Sequence, residues 1–473
     1  MFKKMKRAAA MMAALIMIEG QVIMAGAEDK THVDMIAHGR YVVTMDDARG
    51  VVEFGAVAVK DGAIVAVGTA AEITATYSAD DILAGENRVL MPGMVNGHTH
   101  SAMVLFRGMA DDLDLMTWLT KYIFPMEGRY VDPDFIAVGS ELACWEMIRG
   151  GTTSFVDMYF YPDVIAGVVD KCGLRAVITA PMIDFPSPGF KGWEDSYAAG
   201  VKFVEDWQGK HPRITPGLAP HAPYTVSKEH LSQVAAKAKE LGAPISIHIA
   251  EDQAEVKKIA AEQGMTSIEL MAETGLLDVT TVAAHVVWPT DSDMKALAGA
   301  PVGAIHNPTS NLKTAAGIAP IPQMLEAGVK VGLGTDGAAS NNDLDMWEEM
   351  RLAALLNKGK QNDPTVVPAS AALKMATSGG AEAVGLGDVT GALKPGMKAD
   401  MIQVSLDSLR LAPLYDVMSH LVYAAGSHDV VTTVVEGKVL MRDGKMLTID
   451  EDALRARVEA VAEKIRADLA KTE

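Results

Sequence analysis

The stretch RVLMPGMVNGHTHSAM, residues 88–103, decides how this chain is read. An apolar run passes a Pro92-Gly93 bend and stops at His98-Thr99-His100. Apolar residues ending abruptly in polar ones describe a strand buried on both faces that delivers its C-terminal end to a shared mouth. Seven later runs have the same texture: GTTSFVDMY (151–159), LRAVITAPM (174–182), ITPGLAPHAPY (214–224), PISIHIAED (244–252), TTVAAHVVW (280–288), PVGAIHNP (301–308) and VKVGLGTDG (329–337). Helix-like segments such as SKEHLSQVAAKAKELG (227–242) lie between them. Eight alternations of strand and helix predict an α/β fold, a (β/α)8 TIM-type barrel over residues 92–395.

Both flanks of that region read as β. RYVVTM (40–45) is a β-branched run, and GAVAVKDGAIVAVG (55–68) is two strands around a Lys60-Asp61-Gly62 turn. ADMIQVSL (399–406) and VVTTVVEGKVLMRDGK (430–445) add short strands with turns at Glu436-Gly437 and Asp443-Gly444. The two flanks, 31–91 and 396–445, are expected to pair into one small composite β-sandwich. Residues 446–473 close the chain as an amphipathic helix, with Leu454, Val458, Val461, Ile465 and Leu469 on one stripe.

Residues 1–30 form an N-terminal extension. MFKKMKR is basic, AAAMMAALIMI (8–18) is apolar but too short to span a bilayer, and Ala25-Gly26-Ala27 resembles a cleavage site. Residues 1–27 therefore read as a signal peptide and imply an exported, periplasmic protein; an internal start at Met24 would leave it cytoplasmic. No other run is long enough for a transmembrane helix, so the mature chain is expected to have no integral membrane segment.

The 473 residues carry 42 basic and 61 acidic side chains, a net charge of −19. That field repels a phosphate backbone, and no nucleic-acid partner is expected. The two cysteines, Cys144 and Cys172, match no metal or redox spacing and read as buried free thiols.

In a strand, residues i and i+2 point to the same side, so His98 and His100 present two imidazoles together. His248 ends the run SIHI, and Asp336 follows the last strand in VGLGTDG. Three imidazoles and one carboxylate suit a single divalent metal, Zn2+ first and Fe2+ second, with room left for water. Glu251 lies three residues past His248, where it can face a substrate and move a proton. His285, ending TTVAAH, is placed to orient or deprotonate the water alongside Asp336, and His221 to contact substrate. His306, with Asn307 and Asn311, reads as loop structure. His32, His38, His211, His230, His420 and His428 lack an obvious partner and read as surface or core residues.

The segments PGMVNGHTHSAMVLFRGMADDLDLMTWL, LAPHAPYTVS, SIHIAED, IHNPTSNLK and GLGTDGAASNNDLDMW, in that order, resemble the amidohydrolase superfamily. Within it they are similar to the 5-methylthioadenosine/S-adenosylhomocysteine deaminase branch, over residues 33–445. The resemblance implies a (β/α)8 barrel with a composite β-sandwich, one catalytic divalent metal, and deamination of a purine nucleoside to its inosine analogue. It implies that His98, His100, His248 and Asp336 are metal ligands, and that Glu251 protonates the purine N1. His285 is implied beside the attacking water, Glu127 at the ribose hydroxyls, and His221 and Ser340 at further substrate contacts. A homo-oligomer is also expected. Where some members hold the amino-acid end of S-adenosylhomocysteine with arginines, this chain has Arg175 early in LRAVITAPMIDFPSPGFKGW and only Lys191 later. That departure puts a clamp for the homocysteine carboxylate in doubt, so 5′-methylthioadenosine, adenosine or 5′-deoxyadenosine is expected to be handled as well as S-adenosylhomocysteine or better.

Other readings stay open. Triazine or chloro-heterocycle hydrolysis and guanine deamination use the same scaffold, but a ribose-binding Glu127 has no purpose in the triazine case. A binuclear cyclic amidase would want a modified lysine near the fourth strand, where this chain offers His221. A non-catalytic protein with a metal kept for structure would not need Glu251 or His285.

Overall fold

The computed structural model describes residues 30–469, so the reading of residues 1–27 as a signal peptide lies outside the described residues. Eight parallel strands form the centre: β1 (Met94–Thr99), β2 (Thr152–Met158), β3 (Arg175–Met182), β4 (Ile214–Pro220), β5 (Ile245–Ile249), β6 (Thr281–His285), β7 (Val302–His306) and β8 (Lys330–Leu333). Each pairs with the next in sequence. Past β8 the chain returns to β1, where the Asp336 amide donates to His98 O (2.9 Å). Asn96 reinforces that seam: its Nδ2 donates to Thr335 Oγ1 (2.7 Å) and its Oδ1 accepts from the Thr335 amide (3.0 Å). The strands are buried on both faces, which explains their apolar runs: the helices outside and the packed interior leave no face for water.

The chain's two flanks meet in a single nine-stranded sheet. The strand Arg88–Pro92 runs antiparallel to Met401–Ser405 and parallel to Thr31–Val43, so it joins the early strands to the late ones. Val57, Val59 and Leu90 from the first flank share an apolar cluster with Met401 and Val434 from the second. The Ala399 amide donates to Gly62 O (3.0 Å), bringing the first hairpin turn onto the second flank. Sheet and cluster together form the composite β unit expected from the sequence. Asp61-Gly62, Glu436-Gly437 and Asp443-Gly444 all have positive φ, as two-residue hairpin turns of the primed type require.

Between sheet and barrel, Gly93 follows Pro92 directly, and a Cβ there would lie 2.1 Å from Thr153 Cγ2. Only glycine allows the chain to cross at that point. On the same side, at the N-terminal end of β3, the buried Arg175 donates from Nε to Asp400 Oδ2 (2.7 Å) and from Nη2 to Asp400 Oδ1 (3.2 Å). Its Nη1 donates to Pro212 O (3.1 Å), and Asp400 Oδ1 also accepts from the Glu436 amide (2.7 Å). Arg175 thus ties barrel to sheet.

The closing helix spans Glu451–Leu469, with Leu454 and Ile465 buried. Cys144 and Cys172 are buried free thiols, and Cys172, packed beside Cys144, combines with burial to push the Cys144 thiol well above its usual range. Several histidines without an obvious partner in the sequence have one in space. His230 stacks on Trp193 (3.9 Å between centroids) and lies 2.8 Å from Asp184, and His211 lies 2.7 Å from Asp170.

Candidate active site

The C-terminal ends of β1, β5 and β8 bring His98, His100, His248 and Asp336 together, with one ligand atom from each inside 4.8 Å of the others. His100 Nδ1 lies 2.6 Å from Met158 O, and His248 Nδ1 lies 2.7 Å from His221 O. A carbonyl can only accept, so both Nδ1 atoms carry a proton, and each ring in its neutral form leaves Nε2 as a bare lone pair. Those two Nε2 atoms face each other at 3.1 Å. Asp336 Oδ1 lies 3.2 Å from His100 Nε2 and 3.4 Å from His98 Nε2. His98 is fully buried, yet neither ring nitrogen has a hydrogen bond. Two lone pairs aimed at one another, an orphaned imidazole and a carboxylate are costly together unless a cation sits among them. The donor set therefore fits a divalent metal.

The carboxylate of Asp336 is held on its other side. Ser310 Oγ donates to Oδ2 (2.7 Å), Ser340 Oγ lies 3.0 Å from the same atom, and the Gly337 amide donates to Oδ1 (2.8 Å). Backbone strain gathers on this rim: Ala250, His285 and Asp336 have φ of 50, 76 and 62°. Left-handed backbone at non-glycine residues costs on the order of 1–3 kcal/mol each and persists only where the surroundings impose it.

A cavity of about 630 Å³ opens over the four residues, and its wall includes Glu127, His221, Glu251, His285 and Ser340. Burial pushes the Glu251 carboxyl well above its usual range, and Asp336, Glu255 and Asp252 add to the shift, so the protonated acid is favoured. Glu255 also shapes this turn, its two oxygens accepting from the Ala250 amide (2.8 Å) and the Glu251 amide (2.9 Å). His285 Nδ1 lies 2.8 Å from Asn311 Oδ1, which leaves Nε2 unprotonated, 3.7 Å from Glu251 Oε1. Burial lowers the pKa of His285, so the ring is neutral. A protonated acid and a neutral base thus stand side by side at the same wall.

The far wall differs. Tyr159 OH donates to Glu127 Oε1 (2.8 Å), and burial lifts the Glu127 carboxyl to about 7 against the pull of that bond. His221 Nδ1 lies 2.9 Å from Thr225 Oγ1, whose own proton has Ala222 O at 3.1 Å. Burial pushes His221 down to about 3, a neutral ring with Nε2 free to accept. Between these polar groups the wall is apolar, formed by Leu115, Trp118, Leu119, Phe124 and Phe160.

All nine of these site residues therefore lie in the cluster or on the cavity wall, His98 belonging to the cluster without lining the cavity. Ser340 is engaged with Asp336, and Asn311, read as loop structure, orients His285. His306 is buried with both ring nitrogens unpaired and does not line the cavity. Arg175 starts a strand whose opposite end faces the cavity, and Lys191 is exposed and does not line it. Asn96, Asp157, Tyr159, Glu255 and Ser310 were not singled out. Asp157 and Tyr159 had a signal, as polar residues ending a strand run; the others depend on partners far away in sequence.

The path of β1 also departs from simple alternation. Asn96 pairs with Phe155 and Thr99 with Asp157, so three residues of β1 advance against two of β2. This is a one-residue β-bulge at Gly97-His98, a device that bends a strand and re-aims its side chains. The rings of His98 and His100 stand at 84° to each other, centroids 4.8 Å apart. Gly97 is needed there, since a Cβ would lie 2.6 Å from Ile305 Cδ1.

Comparison with known proteins agrees with this geometry. Residues 89–440 match the model of the Amidohydrolase family. The chain is 45% identical over 433 residues to a 5′-deoxyadenosine deaminase of Methanosarcina mazei, covering 91% of this chain and 98% of that one. It is 46% identical over 412 residues to a 5-methylthioadenosine/S-adenosylhomocysteine deaminase of Desulforudis audaxviator, covering 87% and 95%. A solved adenosine deaminase from Xanthomonas campestris, with bound zinc, superposes with a TM-score of 0.90 at 38% identity, covering 93% of this chain and all of that one.

Proposed function

The chain belongs to the amidohydrolase family, and from that premise we propose that it hydrolytically deaminates adenosine-type nucleosides, giving the inosine analogue and ammonia. One observation carries the reading: the Glu251 carboxyl and His285 Nε2, 3.7 Å apart, share a wall of the cavity above a four-residue metal-ligand cluster. A metal held for structure alone would need neither.

His98, His100, His248 and Asp336 would hold one divalent ion, which supplies a hydroxide nucleophile at neutral pH. Zinc is the metal that three imidazoles and a carboxylate support first, with iron(II) second. Glu251 gives its proton to purine N1, making C6 electrophilic as the water oxygen bonds to it. His285, whose Nε2 is open, and Asp336 take the proton that the water releases. Returned to the amino group, that proton lets the C6–N bond break and ammonia leave; the C6 hydroxyl gives its hydrogen to the Glu251 carboxylate as C6 becomes a carbonyl, so N1 keeps its hydrogen and the acid is restored.

Glu127, aligned by Tyr159, suits the two ribose hydroxyls, and His221 suits a further donor of the substrate. A triazine offers no hydroxyl pair for that carboxylate, so this wall favours a nucleoside. Next to the catalytic cavity lies another of about 740 Å³, sharing Phe124, Glu127, Phe160 and Ile183 with it and continued by Phe185 and Pro186. No Lys or Arg lines either one among the described residues. An apolar or absent 5′ substituent fits there, whereas the carboxylate of a homocysteine tail meets no cation. This supports 5′-methylthioadenosine and 5′-deoxyadenosine over S-adenosylhomocysteine.

Purified, metal-replete protein tests both levels by the ultraviolet change as adenine becomes hypoxanthine. Expected is turnover of 5′-methylthioadenosine, 5′-deoxyadenosine and adenosine, with a lower kcat/KM for S-adenosylhomocysteine. Equal or better use of S-adenosylhomocysteine would overturn the preference alone. Silence on every nucleoside, with turnover of guanine or a chloro-triazine, would overturn the reaction.

A further inference from the structure

A bulge shifts a strand against its neighbour, and beyond it the new register must be fixed or the strand can slip. The bulge in β1 takes in His98 and ends just before His100, so whatever fixes the register beyond it also fixes where His100 points. The first pair beyond it is Thr99 with Asp157. Asp157 is fully buried and does not line the cavity. Its Oδ1 accepts from the Ser101 amide (2.6 Å) and lies 2.9 Å from Thr99 Oγ1, and its Oδ2 lies 3.0 Å from Ser101 Oγ. Both neighbours of His100 are thus tied to one carboxylate. The backbone on either side of Asp157 completes the grip, with Val156 O 2.8 Å from Thr99 Oγ1 and Met158 O at His100 Nδ1.

We propose that Asp157 is a positioning residue of the metal centre, locking β1 beyond its bulge so that His98 and His100 converge on one ion. A carboxylate suits the task because all its lone pairs accept, and the groups it meets are an N–H and two hydroxyls. Asparagine has the same shape but turns an NH2 toward one of those donors. The inference rests on the four-residue metal reading, so the test starts with the parent protein.

Zinc affinity is measured by competition with a chromophoric chelator, and the visible spectrum is recorded after cobalt(II) substitution. The parent should bind one ion; a parent that takes up none overturns the metal reading itself. Asp157→Asn is expected to bind zinc about 10–100-fold more weakly, the usual cost of losing a group that orients metal ligands. Its cobalt spectrum should shift, since the ligand angles change. Thr99→Val, which removes one partner and keeps the carboxylate, should give a smaller loss in the same direction. Affinity within twofold of the parent and an unchanged spectrum would overturn the proposal, even if Asp157→Asn had a lower Tm, since that would mark a role in folding alone. Should Asp157→Asn fail to fold, Thr99→Val combined with Ser101→Ala decides the matter by the same two readouts.

Discussion

The two ends of the barrel bury similar side chains and treat them in opposite ways. At the N-terminal end, Arg175 and Asp400 are out of water, and their charges meet each other, Pro212 O and the Glu436 amide. At the C-terminal end, His98 has no hydrogen bond, two lone pairs face each other at 3.1 Å, and the backbone is strained at Ala250, His285 and Asp336. A buried ionic group whose valences are all met holds parts of the molecule together. One whose valences are left open, on a rigid frame, is ready for a ligand. Burial alone does not separate structure from function, and neither does one unmet valence, since His306 is as unpaired as His98 but stands outside the cluster; several open valences converging on one point do.

The sharpest way to break this contrast is to mutate each end and ask whether activity and stability respond separately. Glu251→Gln should leave metal content and Tm near those of the parent while kcat falls by about 10²–10⁴-fold, the usual share of a general acid–base group. A kcat near the parent's would remove Glu251 from the chemistry. Arg175→Ala should do the reverse, leaving Asp400 buried without its partner at a cost of about 3–5 kcal/mol, seen as a lower denaturant midpoint. Its folded fraction should keep the parent kcat; a large loss of kcat would mean that the two ends are coupled.

The smallest effect refines the cavity end. Glu127 has its carboxyl raised to about 7, so it is neutral below that pH and a hydroxyl-accepting carboxylate above it. KM for a ribonucleoside should therefore fall as pH rises through about 7. The Tyr159 hydroxyl opposes the upward shift, so Tyr159→Phe should move the midpoint to higher pH and raise KM severalfold. A pH profile of KM that is flat in both proteins would take Glu127 out of substrate binding.

The barrel was legible because each buried strand writes its own apolar run and its own polar stop. His98, His100, His248 and Asp336 could be picked out as a group for that reason. The hairpin turns were legible because Asp-Gly and Glu-Gly can adopt the backbone that such turns demand. The bulge was not, since register belongs to a pair of strands and nothing in GHTH records how β2 lies against it. Asp157 was visible as the end of SFVD, but one aspartate at a strand end has many uses, and its partners Thr99 and Ser101 lie more than fifty residues away. Arg175 was weighed as a ligand for a substrate carboxylate because its partner Asp400 is 225 residues distant.

The nine-stranded sheet has a consequence for how the molecule is made. Its first strands leave the ribosome early, but Met401–Ser405, which pairs along the length of Arg88–Pro92, is synthesised about three hundred residues later. At about 5–20 residues per second, that open edge waits on the order of tens of seconds for its partner. During that time the barrel can assemble strand by strand, while the early sheet offers an unpaired edge to any other nascent chain. Protection of that edge during synthesis, by a chaperone or by the growing barrel itself, is therefore a condition for a good yield of native protein.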